Sequence, residues 1–260
     1  MAEARDRWLL GAFVLSGAAG LGYEILWTRL LTLALGSETL GVLGALAGFF
    51  GGMAAGAAAL HERAHTSADP VRLFVRLEVT AAAFALTSPW WLHALAQRLP
   101  ALIGPLAGGN DGGATLAVSL GVAALVLLPG TFCLGATLPA LVEARRRVCP
   151  EEPDGRGLGR LYAANTTGAV LGVLITVHAL LPLVGMIGCA AALAALGIGA
   201  ALVARQWGKV FGGVPEQSSA PTPGTTNDAG HEPNTRAASR KASDATSTSP
   251  RDIDASRDPD

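Results

Sequence analysis

The chain has 260 residues, half of them hydrophobic and only 15% charged, with a formal net charge of −1. Its mean hydropathy is +0.41 in spite of a polar tail. This composition points to an integral membrane protein in a lipid bilayer. With no basic face bearing interleaved aromatics, no nucleic-acid partner is expected.

The first apolar segment, about residues 8–35, reads WLLGAFVLSGAAGLGYEILWTRLLTLAL. It exceeds the 20 or so apolar residues that a spanning helix needs. Its start is weakly basic and no small-residue cleavage site follows, so it is read as a retained helix. Its second half carries Glu24 and Arg29, with Tyr23 and Trp27 beside them. A carboxylate at membrane depth costs roughly 2.5–3.5 kcal/mol on the most lenient scale, so it survives by facing a bundle interior, a partner charge or a water-filled cavity.

Segment two, about 39–60, contains Gly48, Gly52 and Gly56. Glycines four apart let another helix backbone approach closely. Segment three, about 71–91, has Arg72, Arg76 and Glu78 in its first turns and Trp90-Trp91 at its end, where an aromatic belt is expected. Segment four, about 114–142, contains Pro129 and Pro139 and leads into the arginine-rich loop 143–160. Segments five and six, about 161–181 and 184–204, are separated by the short turn 182–185. Residues 206–260 turn to Ser, Thr, Pro and Asp, and are expected to form a disordered cytoplasmic tail.

Arginine and lysine mark alternate connections: Arg5 and Arg7, then Arg63, then Arg145 to Arg147 with Arg156 and Arg160, then Arg205 and Lys209. The intervening loops hold almost none. The expectation is an all-α polytopic membrane protein, a six-helix transmembrane bundle with both termini in the cytoplasm, N-in/C-in.

Glu24 is the leading candidate for a cation or proton site, with Tyr23 and Trp27 shaping its cavity and offering a cation–π surface. The plainer reading is a structural ion pair. Arg29 lies five residues on, poorly placed for pairing within the helix, so an arginine of another helix is the alternative. Glu78 reads as a local partner of Arg76 or of a neighbouring helix. In segment five, Tyr162 and Asn165 share a helical face, followed by Thr166 and Thr167, and interhelical hydrogen bonding is their plain reading. His178 reads as a hydrogen-bonded packing histidine, and Cys133, Cys149 and Cys189 as small packing residues. No catalytic constellation, metal spacing or cofactor motif is visible. Gly108–Gly113 imitates a nucleotide-binding loop, but it lacks the strand and helix such a loop requires, and is read as a turn.

Three separated motifs carry a family resemblance. They are Ser16-Gly17…Tyr23-Glu24…Trp27-Thr28-Arg29-Leu30, Gly135-Ala136-Thr137-Leu138-Pro139, and Gly159-Arg160-Leu161-Tyr162-Ala163-Ala164-Asn165-Thr166…Gly172. Over about residues 8–205 the chain resembles the membrane domain of bacterial spermidine synthase-like integral membrane proteins, often described as fused major-facilitator/spermidine synthase proteins. The resemblance implies half of a major-facilitator fold in the bacterial inner membrane. Typical members continue into an aminopropyltransferase domain, and no βαβ alternation follows Lys209 here. That activity is therefore not carried over. Two functions are left open. One is a stand-alone module, expected to be a homodimer, that binds or moves a small substrate such as a cationic polyamine. The other is a non-catalytic anchor for a separate cytoplasmic enzyme, held through loop 143–160 or the tail.

Overall fold

A computed structural model of the protein describes residues 2–99, 101, 112–148 and 154–211, and its elements there are all helical. The expected tail beyond residue 211, the glycine turn at 108–111 and the middle of the arginine loop at 149–153 lie outside the described residues.

The helices are α1 (Ala2–Leu35), α2 (Glu38–Thr66), α3 (Pro70–Ala96), α4 (Gly112–Val148), α5 (Asp154–Ile175) and α6 (Leu181–Phe211), with a π-helical turn, Thr176–Leu180, joining the last two. Local chemistry fixes several ends. Ser37 caps α2 by accepting the Leu40 N–H at 3.4 Å, and Asp69 caps α3 by accepting that of Arg72 at 2.9 Å. Pro70 begins α3, where its missing N–H costs nothing. Each helix outruns its apolar segment, because polar turns continue it past the hydrophobic run. α6 passes the expected boundary at Arg205 and ends at Phe211, held by Trp207, which is buried and packed against Phe211.

Four stretches are long and apolar enough to cross a membrane: Asp6–Leu35, Glu38–Thr66, Gly113–Arg147 and Gly155–Phe211. The chain is a multi-pass membrane protein. By this measure the six expected spans become four, for two reasons. Charges at the start of α3 and Ser88-Pro89-Trp90-Trp91 with His93 near its end leave that helix a short apolar middle. The fifth and sixth segments follow each other without an intervening loop and count together as one stretch, although the chain turns back between them. Within that stretch Gly185 has φ 66° and ψ −172°, a conformation open to glycine and costly for other residues. The expected turn at 182–185 is therefore a break at one glycine.

Contacts between helices give their directions. Gly168 and Gly172 of α5 abut Val14 and Ala18 of α1, so the two run the same way. Gly22 of α1 meets Leu193 of α6 while Leu15 lies near Gly199, so α6 runs the other way. Gly44, Gly52 and Gly56 of α2 face Ala123, Thr131 and Phe132 of α4 in parallel. α3 packs on α6 and α4. Exchanging α1–α3 for α4–α6 maps the α1/α5 pair onto α4/α2 and α1/α6 onto α4/α3, leaving α3/α6 on itself. Two buried clusters fill the bundle. One is centred on Tyr23, Trp27 and Leu193, the other on Phe13, Phe74 and Trp207.

Candidate functional site

Neighbouring residues of an α-helix point about 100° apart, and residues seven apart share a face. Ser16 and Tyr23 therefore form one face of α1, and Gly17 and Glu24 the next. The fold puts these two faces to different uses.

The Ser16/Tyr23 face turns inward. The Ser16 hydroxyl donates to Glu78 Oε1 across the α1/α3 contact. Tyr23 stacks on Trp27 with ring centroids 5.6 Å apart, and its hydroxyl donates to the Leu193 carbonyl of α6 at 3.0 Å. Trp27 donates from Nε1 to Ser88 Oγ at 3.2 Å, and Ser88 donates to the Ala85 carbonyl at 2.7 Å. Tyr23, Trp27 and Glu78 are all fully buried. Glu78 Oε2 has no hydrogen-bond partner among the described residues. Gly197 of α6 leaves the space beside it, since a Cβ there would lie 2.9 Å from the Tyr23 hydroxyl oxygen and 3.5 Å from Glu78 Oε2.

This arrangement bears on two expectations. Tyr23 does not shape a cavity for Glu24; it turns inward beside Glu78, while Trp27, further along the helix, is buried against Ser88 and Phe84. For Glu78, of the two partners expected, the neighbouring helix is the one found, through Ser16 of α1; Arg76 is exposed and does not pair with it. Two residues of separation on a helix send their side chains to nearly opposite sides. The residues that sequence reasoning missed are Ser16, Ser88 and Gly197. The spacing of seven between Ser16 and Tyr23 was the available signal, but a small hydroxyl in an apolar run reads as packing.

Trp27→Phe should keep the stacked ring and lose its donor. The expected cost is about 1 kcal/mol, the net worth of a typical hydrogen bond. Ser88→Ala should cost a similar amount, and the double variant less than the sum. Unfolding of the purified protein in mixed detergent micelles measures all three.

The second face is polar and partly open. Glu24 is half-buried, and its carboxylate makes no ion pair or hydrogen bond among the described residues. Neither expected ion pair forms: Arg29 is exposed and does not reach Glu24, and no arginine of another helix does. Thr28 donates its hydroxyl to the Glu24 carbonyl at 2.8 Å. Two turns back, Gly17 presses on Asn165 of α5; a Cβ there would lie 2.8 Å from Asn165 Oδ1. Asn165 is half-buried and Tyr162 is 63% exposed. Neither side chain makes the expected interhelical hydrogen bond among the described residues. Glu24, Asn165 and Tyr162 thus mark one side of the α1/α5 pair. His178 is exposed in the π-helical turn rather than hydrogen-bonded in a core.

Two further features complete the picture. At the end of the bundle that carries the arginines, Asp6 Oδ2 accepts from Arg145 at 3.2 Å and from Arg160 at 3.1 Å. Glu143 pairs there with Arg147 at 2.9 Å and with His65 at 3.0 Å, and Arg147 also reaches the His65 and Ala68 carbonyls. At the opposite end a groove of about 510 Å³ is lined by Phe84, Trp91, Ala94, Leu95, Arg98 and Val126. It is apolar apart from Arg98 and has no convergent polar set. Among the described residues no three His, Cys, Asp or Glu gather as a metal site requires.

The chain matches no family model, no curated protein and no solved structure.

Proposed function

We propose that this protein is a membrane module that binds and moves a small cationic substrate along the α1/α5 face, in the manner of half of a major-facilitator transporter. The observation that carries the reading is Glu24. It is half-buried within an apolar helix, has no ionic partner among the described residues, and stands on the same side as Asn165 and Tyr162. Lipid is a poor environment for such a strip. A second copy of the chain facing it would cover the polar groups and enclose a path between the two halves, so a homodimer is the expected form.

The helix directions support six crossings. α1, α3 and α5 run one way and α2, α4 and α6 the other, with the arginine-rich connections at the cytoplasmic end. The exchange symmetry of the packing fits an inverted repeat of three helices, a plan known from transporters. The resemblance to the spermidine synthase-like family suggests a polyamine as the cation, and the bacterial inner membrane as the location.

The anchoring alternative is less favoured by the geometry. Arg145, Arg147 and Arg160, which would recruit an enzyme through loop 143–160, already bond Asp6, Glu143 and backbone carbonyls within the chain.

The test is uptake of labelled putrescine and spermidine into proteoliposomes. Saturable flux is expected. Glu24→Gln should lower it about ten-fold or more, in line with the 1.5–3 kcal/mol lost with a charged hydrogen-bond partner. Absence of flux from well-folded protein would sink the transport reading and return attention to cytoplasmic partners.

A further inference from the structure

The Glu78 carboxyl lies where no substrate path reaches it. It is fully enclosed by α1, α3 and α6, on the side of α1 away from the Glu24 strip. We propose that Glu78 is a proton-binding site: it holds a proton while the bundle is closed around it, and gives it up to water only when α1 and α6 part.

The argument rests on the groups that face this carboxyl. From α1 come the Ser16 hydroxyl and the Tyr23 phenol. From α6 come Gly197, beside the carboxyl, and Leu193, which accepts from Tyr23; neither carries a charge. From α4 comes Cys133, a half-buried thiol that carries no fixed charge. On α3 itself, Arg72 and Arg76 are exposed, and no cation pairs with Glu78 among the described residues. An ionised carboxylate in such a place is uncompensated, and a buried group in that position neutralises instead.

The hydrogen-bond directions suit the neutral acid. Oε1 accepts from Ser16. Tyr23 has committed its own proton to the Leu193 carbonyl, so its oxygen is free to accept. Oε2 has no acceptor to donate to in the present geometry, yet Gly197 leaves space between it and the Tyr23 oxygen. A rotation of the Glu78 carboxyl or a small approach of α3 to α1 therefore completes a chain from Oε2–H through the Tyr23 hydroxyl to the Leu193 carbonyl. Moving α6 away would instead remove the acceptor and admit water. Proton occupancy is thereby tied to the closeness of α1, α3 and α6, whether or not the α1/α5 strip carries a substrate.

Infrared spectra of the full chain in liposomes test this directly. A neutral-carboxyl stretch is expected at neutral pH, lost in Glu78→Gln and retained in Glu24→Gln. If Glu78→Gln does not fold, Ser16→Ala and Tyr23→Phe carry the assignment, because the first removes the donor to Oε1 and the second the acceptor oxygen beside Oε2, and each should move the band. Carboxylate bands alone at Glu78 would overturn the proposal. So would a spectrum that changes with sodium concentration rather than pH, which would mean a metal cation there, or a neutral band indifferent to both the Tyr23 and Ser16 variants.

Discussion

Gly135→Ala should break the α2/α4 pair and leave little folded protein. Gly135 of α4 sits against the backbone of Met53, and a Cβ there would lie 2.5 Å from the Met53 Cα and still closer to its carbonyl oxygen. Gly56 of α2 meets the Phe132 backbone in the same way. A flexible side chain could yield to such an intrusion, but two backbones in contact must separate. Overpacking of this kind costs about 3 kcal/mol or more when nothing can relax. The loss would be felt along the whole pair, since close approach supplies the packing that holds helices together in lipid. Gly51 and Gly121 are the controls. A Cβ at either meets nothing within 4 Å, so Ala there should be neutral or stabilising by up to about 1 kcal/mol through helix propensity. Unfolding curves in mixed micelles should separate the two classes. Equal stability of Gly135→Ala and the two controls would mean that α2 and α4 do not pack this closely.

Asp6→Ala should be clearly damaging at the arginine-rich end of the bundle, at about 2–3 kcal/mol. One carboxylate oxygen serves two guanidinium groups that differ in burial: the Arg145 side chain is 9% exposed and that of Arg160 is 61% exposed. Removing the carboxylate from a shielded guanidinium is costly. Arg160→Ala removes only an exposed partner and should cost about 1 kcal/mol at most. Added salt should erase the Arg160 effect and leave most of the Asp6 effect, because screening acts on the exposed pair. If both variants cost the same at high salt, Arg145 does not depend on Asp6. The geometry also explains Gly157, against whose Cα the Arg145 guanidinium lies; any side chain there would displace it.

The apolar runs, the alternate arginines and the glycines at spacing four were all legible in the sequence, because each follows from what a bilayer demands of a single helix. A helix needs length and apolar content to cross, and its cationic ends stay on one side. Hence the all-helical, membrane-spanning character, the turn near Gly185 and the glycine face of α2 were visible early. Glu24 and Glu78 were visible as costly acids for the same reason.

What each acid faces was not legible. Tyr23 and Glu24 are neighbours in the sequence, and their adjacency made Tyr23 look like part of the Glu24 site. The 100° step of the helix sends them to different partners. Glu78 looked like a partner for Arg76 because charges close in sequence invite pairing, yet the helix turns one inward and the other out. The sequence by itself determined the kind of protein and the residues that lipid cannot tolerate. Only the tertiary structure decided that Glu78, not Glu24, is the acid enclosed beside Tyr23, because burial depends on which helices pack around a face and not on the face alone.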